Sequence, residues 1–472
     1  MPRTLSVTES CFEVLDRCAV FCLAPIAVWI LISGLDDLFI TLAALFLRRP
    51  FPFPDPVRLS RTPERPIAIF VPLWHEHAVI SRMLARNLAC IRYRNYHVFA
   101  GVYPNDLPTL HAVQEQARRH PRIHPVVCPH PGPTSKGDCL NAIFAAMRDY
   151  ETRRSLRFRI VVTHDAEDVI HPDSLRLINF FSRRYAMVQI PVLPLPTTPG
   201  ELTHGLYCDE FAEYQRKDIP VRHALGGFLP SNGVGTGFDR AALDRLAASR
   251  GGRPFDPACL TEDYETGYRL HALGYSQVFV PLRHQPEGPV ATREFFPRRL
   301  RASISQRTRW VTGISLQGWQ HHGWPLAQAF WFWRDRKGLA GNLLSPLANL
   351  LFVYGGFRFA QGVNLAQSID PSLAAICSLT CFIAAVQTAY RVHAAAALYG
   401  WRFAALVPVR VLWGNLVNCA ATATALWEFF DSRRRGQRLR WRKTDHAYPL
   451  AEPAYASPGV PWAAAVSRHS QT

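Results

Sequence analysis

Three groups of residues carry side chains suited to handling phosphate and protons. His164-Asp165-Ala166-Glu167-Asp168 follows the apolar run 160–163, so three carboxylates are expected at the end of one buried strand. Like charges this close repel unless a cation lies among them, and an all-oxygen set suits Mg²⁺ or Mn²⁺ better than zinc. A divalent ion held by Asp165, Glu167 or Asp168 would neutralise charge on a leaving diphosphate. Thr261-Glu262-Asp263 precedes a helical run, 264–273, that Gly274 ends. Two carboxylates in different environments can divide metal binding from proton abstraction, which gives this second acidic group a role beside the first. Gln306, Arg309 and Trp310 stand at i, i+3 and i+4, on one face of a helix. The arginine can pair with a diphosphate and the tryptophan can wall a sugar-binding surface.

Weaker signals accompany these. Pro72 and Glu76, then Asn105 and Asp106, follow two further apolar runs, where a base and ribose can be held. Lys136 and Asp138 lie at an expected helix start, where the ammonium and the helix dipole both favour an anion. Residues 233–238, GVGTGF, contain Gly235 and Thr236 and form a glycine-rich loop. Each has a plainer reading: loop caps for Glu76 and Asp106, a solvated lysine, an ordinary turn, acidic helix starts for both carboxylate groups, and a basic surface helix for 306–310.

The elements that must position these groups are short β-rich runs alternating with helical ones across 62–324. Residues 67–71, 98–102, 160–163 and 187–192 read as buried strands. That alternation predicts an α/β fold with a mostly parallel sheet and helices on both faces, its ligands beyond the carboxyl ends of the strands. Apolar segments flank this region. Residues 18–34 and 38–47 suggest an uncleaved N-terminal anchor, and 339–357 and 373–390 suggest two further membrane helices. Residues 403–430 carry Arg410, Asn415 and Asn418, which are costly at a bilayer centre, and are expected to lie at the interface.

The formal net charge is +17, but the basic residues cluster beside the apolar segments, at 293–309, 334–337 and 433–443. This placement fits anionic lipid head groups and the positive-inside bias, and no nucleic-acid-binding motif accompanies it, so no nucleic-acid partner is expected. The 11 cysteines are scattered without Cys-x-x-Cys spacing, which predicts reduced thiols rather than a disulfide framework or a zinc site.

Taken together, these motifs make the chain resemble glycosyltransferase family 2, the inverting GT-A-fold enzymes, over 66–324. The Thr-Glu-Asp and Gln-x-x-Arg-Trp pair is similar to that of the membrane-integrated polysaccharide synthases. Trp74-His75-Glu76-His77, residues 130–136, the phrase HDAEDVIHP at 164–172 and residues 290–294 resemble most closely the bacteriophage-adsorption protein B group of bacterial inner-membrane glycosyltransferases. The resemblance implies a Rossmann-like GT-A catalytic domain with N- and C-terminal transmembrane helices. Asp165 and Glu167 then fall on the Asp-x-Asp metal motif, with Glu167 or Asp168 as the nearer ligand left open. Donor binding falls to Pro72, Glu76, Asp106, Lys136, Asp138 and Asp165. Asp263 matches the catalytic base, while Glu262, Gln306, Arg309, Trp310, Gly235 and Thr236 match the acceptor and diphosphate elements.

The expected organisation is an anchor at 1–49, a catalytic domain at 50–338, membrane helices and the interfacial helix at 339–430, and a basic cytosolic tail at 431–472. The regulatory cyclic-dinucleotide domain of longer members is not expected here. The implied function is transfer of a sugar, with inversion, from a nucleoside diphosphate donor, UDP-linked by expectation, to a glycan or lipid-linked acceptor. It would need Mg²⁺ or Mn²⁺, with the catalytic domain facing the cytosol from the bacterial inner membrane and an outer-membrane export partner. The competing reading is a non-catalytic membrane component with a degenerate transferase fold.

Overall fold

The computed structural model describes residues 7–46, 51–285, 288–437, 439 and 447–449. Its centre is a seven-stranded sheet ordered β3-β2-β1-β4-β7-β5-β8. The strands are β1 (Ile67–Leu73), β2 (Tyr96–Val102), β3 (Ile123–Val127), β4 (Ile160–Thr163), β5 (Met187–Gln189), β7 (Thr236–Asp239) and β8 (Gln277–Phe279); β6 (Val192–Pro194) lies outside it. β1 to β4 are parallel, β7 runs antiparallel between β4 and β5, and β8 is parallel to β5. The alternation along β1 explains why both faces are covered. Ile67, Ile69 and Val71 enter one apolar cluster, and Ala68 and Phe70 enter the other.

The expected single strand 187–192 is in fact two. Pro191 has no N–H to donate to a ladder, and the chain turns there so that β6 pairs in parallel with the short strand Thr292–Glu294. That pairing carries 292–294 to the edge of the acidic loop after β4, where Val169 and Arg293 form a bridge.

Three helical stretches, Phe12–Phe46, Leu326–Ala360 and Pro371–Tyr399, are long and apolar enough to cross a membrane. The two N-terminal apolar runs form one continuous helix, Val7–Phe46, with Asp36 and Asp37 inside it. These acids meet Arg334, which also bonds Asp218 at 2.6 Å, and Lys337, 2.8 Å from Asp37. The first apolar helix is thereby tied to the sheet-bearing region. Helix Val407–Arg434 is not among the three stretches. It packs on helices Leu202–Glu213 and Leu300–Trp310, pinned by buried Arg410, whose guanidinium donates to both oxygens of Asp209 at 2.6 and 2.9 Å. Its other face exposes Val409, Leu412, Leu416, Trp427 and Phe430. Most of the expected basic tail lies outside the described residues.

Candidate active site

Strand order reverses between β1 and β4, because the chain proceeds from β1 outward to β3 and then returns to the other side of β1. In a parallel sheet this is where the loops at the carboxyl ends diverge and leave a crevice. A cavity opens there, bordered by Pro72 at the carboxyl end of β1's ladder, Trp74 just beyond it, and Asp165 and Glu167 after β4. Lys136, the first residue of helix Lys136–Arg154, reaches into it and donates to Asp165 at 2.8 Å. Burial alone would lower the Lys136 ammonium, but the carboxylates of Asp165, Glu262 and Asp263 around it push its pKa up. A lysine that interacts with both acidic groups places them, far apart in sequence, around one charge.

The second group is brought in by helix Glu262–Ala272. Asp263 borders the cavity, and burial pushes its carboxyl upward while Lys136 opposes the shift. Its Oδ1 accepts from the N–H of Tyr264 at 2.8 Å. The glycine-rich loop crosses directly over it. At Gly233, where φ is +76°, a Cβ would stand 2.7 Å from Asp263 Oδ2 and 3.3 Å from Lys136 Nζ, so only glycine fits. Glu265 braces the same helix. Against the effect of burial, His321, His322 and Arg269 hold its carboxyl well below the usual range, and His322 Nε2 lies 2.6 Å from it. This bond ties the acidic helix to the segment that follows residue 310.

Helix Leu300–Trp310 forms the far wall. Gln306, Arg309 and Trp310 border the cavity, as their spacing predicts. Arg307 takes the opposite face, where it bonds Glu210 and Asn418, each at 2.7 Å, and Ser303 meets Tyr207 at 3.0 Å. One helix thus serves the cavity with one face and the packing of helix Val407–Arg434 with the other.

Several expected site residues are drawn into the scaffold instead. Asp106 is buried outside the cavity lining, accepting the N–H of His75 at 2.6 Å and capping helix Leu107–Arg119. His75 has φ +55°, so this acid secures the tight turn that delivers Glu76, which does border the cavity. Asp138 accepts from Thr134 at 2.8 Å rather than facing the cavity. Thr236 is buried in β7 and donates to Gln189 at 2.7 Å, while Gly235 must be glycine because a Cβ at its φ of +59° would meet Thr292 at 2.4 Å. Glu262 is buried beneath its neighbour, its carboxyl pushed up to about 7 by burial and then by Asp263.

Asp168 also turns inward. Its Oδ2 lies 2.6 Å from His164 Nδ1 and accepts the N–H of Asp165 at 3.1 Å. Burial pushes the Asp168 carboxyl well up and brings the His164 imidazole down to about 3, so the pair acts as a strut behind the loop.

Among the cavity residues that sequence reasoning missed are Glu294 and Asn232, which also border a second cavity of about 580 Å³. Both stood inside or beside quoted phrases, but nothing in their spacing marked them. The second cavity shares Asp263 and Trp310 with the first and runs toward Asp37 and Arg391 of two membrane-length helices. Phe296, Tyr264 and Trp331 supply apolar rings along it.

Comparison with known proteins gives a consistent setting. The model of the family described as Glycosyltransferase like family 2 matches residues 63–313. Bacteriophage adsorption protein B of Escherichia coli (strain K12) is 36% identical over 463 residues, covering 90% of this chain and 61% of the relative. Bacteriophage N4 adsorption protein B of Escherichia coli O157:H7 matches with the same figures. The chain therefore spans 61% of the length of the curated relatives it matches. Among solved structures, the mannosyltransferase PcManGT from Pyrobaculum calidifontis, in complex with GDP-Man and Mn²⁺, superposes with a TM-score of 0.53 at 17% identity, covering 86% of this chain and 99% of that one. At that identity the likeness is one of fold, the GT-A fold.

Proposed function

The chain belongs to glycosyltransferase-like family 2, and on that premise we propose that it is a membrane-bound inverting transferase. It would move a sugar from a nucleoside diphosphate donor, UDP-linked in our reading, to a glycan or lipid-linked acceptor. The observation that carries this reading is Lys136, held between the two acidic groups at a cavity that Arg309 and Trp310 also border.

In this reading the donor lies across the ends of β1 and β4, with its diphosphate near Lys136 and Arg309. These fixed cations stabilise the charge that builds as the sugar–phosphate bond breaks. The oxygen donors of Asp165 and Glu167, both bordering the cavity with a single lysine among several carboxylates, fit a hard divalent cation, Mg²⁺ or Mn²⁺. Such an ion, when bound, supplies further neutralisation of the diphosphate. Asp168, tied to His164, is left out of that ligand set. Asp263 takes the proton of the attacking hydroxyl, and its part-buried carboxyl, shifted upward, suits a base. The acceptor occupies the second cavity, whose volume falls within the roughly 300–1,000 Å³ of typical ligand pockets.

A catalytic domain over 50–338 would face the cytosol of the bacterial inner membrane, where nucleotide-sugars are made. The three apolar stretches would span, and helix Val407–Arg434 would rest at the interface with its exposed apolar face in lipid. An outer-membrane partner would serve export. Incubating membranes that contain the protein with a panel of nucleotide-sugars, while measuring nucleoside diphosphate release, tests the activity. Release with a particular donor, abolished by a chelator and restored by Mn²⁺ or Mg²⁺, is expected. No release from any donor counts against transfer, and release that survives chelation counts against the metal.

A further inference from the structure

We propose that Glu294, together with Asn232, selects the transferred sugar by bonding its hydroxyl or amide groups, and that this sugar is neutral rather than a uronic acid. The proposal rests on the transferase reading and extends it to the class of sugar.

Glu294 is fixed in place from two sides. Its strand pairs with β6, Leu195 N–H donates to its carbonyl at 2.8 Å, and the preceding Arg293 exchanges backbone bonds of 2.8 and 3.1 Å with Val169. Alternation along the strand sends Arg293 the other way, where its guanidinium donates to Pro289 O at 2.9 Å. Glu294 is left bordering both cavities, at the neck where a donor sugar would meet an acceptor hydroxyl. Asn232 borders both as well, its backbone N–H anchored to Gln189 Oε1 at 2.9 Å.

Like Gln306, whose Oε1 is also buried without a partner, these two have side chains that are uncommitted, unlike the acids around them. Asp165 bonds Lys136, Asp168 bonds His164, and Asp263 bonds the N–H of Tyr264. Among the described residues the Glu294 carboxyl has no hydrogen bond or ion pair, and Asn232 Nδ2 is buried without a partner. A rigid backbone that holds an unsatisfied acceptor and an unsatisfied donor in one neck is arranged for a ligand that offers both. Sugar hydroxyls donate to the carboxylate and accept from the amide.

Charge narrows the ligand further. Glu76, Asp165, Glu167, Asp263 and Glu294 border the donor cavity against two cations, Lys136 and Arg309. In the proposed complex those cations, with the divalent ion, face the diphosphate. A sugar carboxylate would enter a site that is already acidic, whereas neutral hydroxyls and N-acyl groups would not.

The test is equilibrium binding to the full chain in detergent with Mn²⁺. The ligands are UDP, GDP and their conjugates with neutral hexoses, N-acetylhexosamines and a hexuronate, against wild type, Glu294→Ala, Glu294→Gln and Asn232→Ala. The wild type should prefer a neutral conjugate. Glu294→Ala should weaken that conjugate about 10- to 100-fold, the size of one hydrogen bond to a charged group. The affinity of the free diphosphate should hold, and Glu294→Gln should recover part of the loss. A parallel fall in diphosphate and Mn²⁺ affinity would reassign Glu294 to the metal, and an unchanged order of sugars or a preferred hexuronate would also overturn the proposal. If the wild type binds no nucleotide at all, the transferase reading itself falls. If it binds and transfers while Glu294→Ala leaves the preference intact, only this proposal falls.

Discussion

The two acidic segments that meet around Lys136, 165–168 and 262–265, divide their carboxylates in the same way by different local means. After β4 the segment is a tight loop. Asp165 and Glu167 border the cavity, while Asp168 bends back to His164 and the loop's own N–H. In the second segment the carboxylates lie on the first turn of a helix. Asp263 borders the cavity, Glu262 is buried beneath it and Glu265 is gripped by His322 and Arg269. Each segment thus spends some of its acids on its own rigidity, one of three after β4 and two of three on the helix. A carboxylate count therefore overstates the chemistry available, and the members turned inward are what hold the cavity-facing ones in place.

Substitutions that separate the two kinds of acid can break this comparison. The largest effect should come from Asp263→Asn, which keeps the shape but cannot take a proton. Nucleoside diphosphate release should fall by about 10²- to 10⁴-fold with donor affinity preserved. Normal turnover would move the base elsewhere.

The loop segment offers a sharper contrast. Glu167→Gln should raise the Mn²⁺ concentration for half-maximal activity by about 10- to 100-fold and leave thermal stability unchanged. Asp168→Ala should do the reverse, because it strands His164 Nδ1 and the Asp165 N–H in a dry interior at a cost of about 1–3 kcal/mol. Measuring the melting temperature and the Mn²⁺ dependence of both variants decides the matter. If Asp168→Ala shifts only the metal dependence, the strut is the ligand.

The smallest effect concerns Glu262. Its folded-state pKa, about 7, lies above the ordinary glutamate value of 4.5, so the folded chain holds this proton more tightly than the unfolded one. The associated stability is fully present below about pH 4.5 and is lost as pH rises through about 7. Glu262→Gln should flatten the decline of melting temperature across that window. An unchanged slope would show that Glu262 is not the buried acid responsible.

Regular elements were the legible part of this fold. Strands β1, β2 and β4 stand where apolar runs predicted them, and the i, i+3, i+4 spacing of Gln306, Arg309 and Trp310 brings all three to one wall. Periodicity works there because a helix or strand repeats its geometry, so spacing alone decides which side chains share a face. The expected strand 187–192 failed for a local reason, the missing N–H of Pro191.

Loops obey no such rule, and most of the expected site residues that turn away from the cavity lie in them or at helix starts. Asp106 and Asp138 carry the residue types of a nucleotide site, yet the first holds the His75 turn and the second bonds Thr134. Neighbouring acids in 165–168 look alike in sequence, and a histidine hydrogen bond decides that Asp168 turns inward. Glu294 reaches the neck only because β6 and Val169, both distant in sequence, clasp its strand. By itself the sequence determined the family, the sheet, the helical wall and the apolar stretches, since each follows from a repeating pattern or a motif. Which carboxylates face the cavity, and that a second cavity opens beside it, were decided only by tertiary structure, because side-chain direction in a turn is set by whatever distant partner satisfies its polar groups.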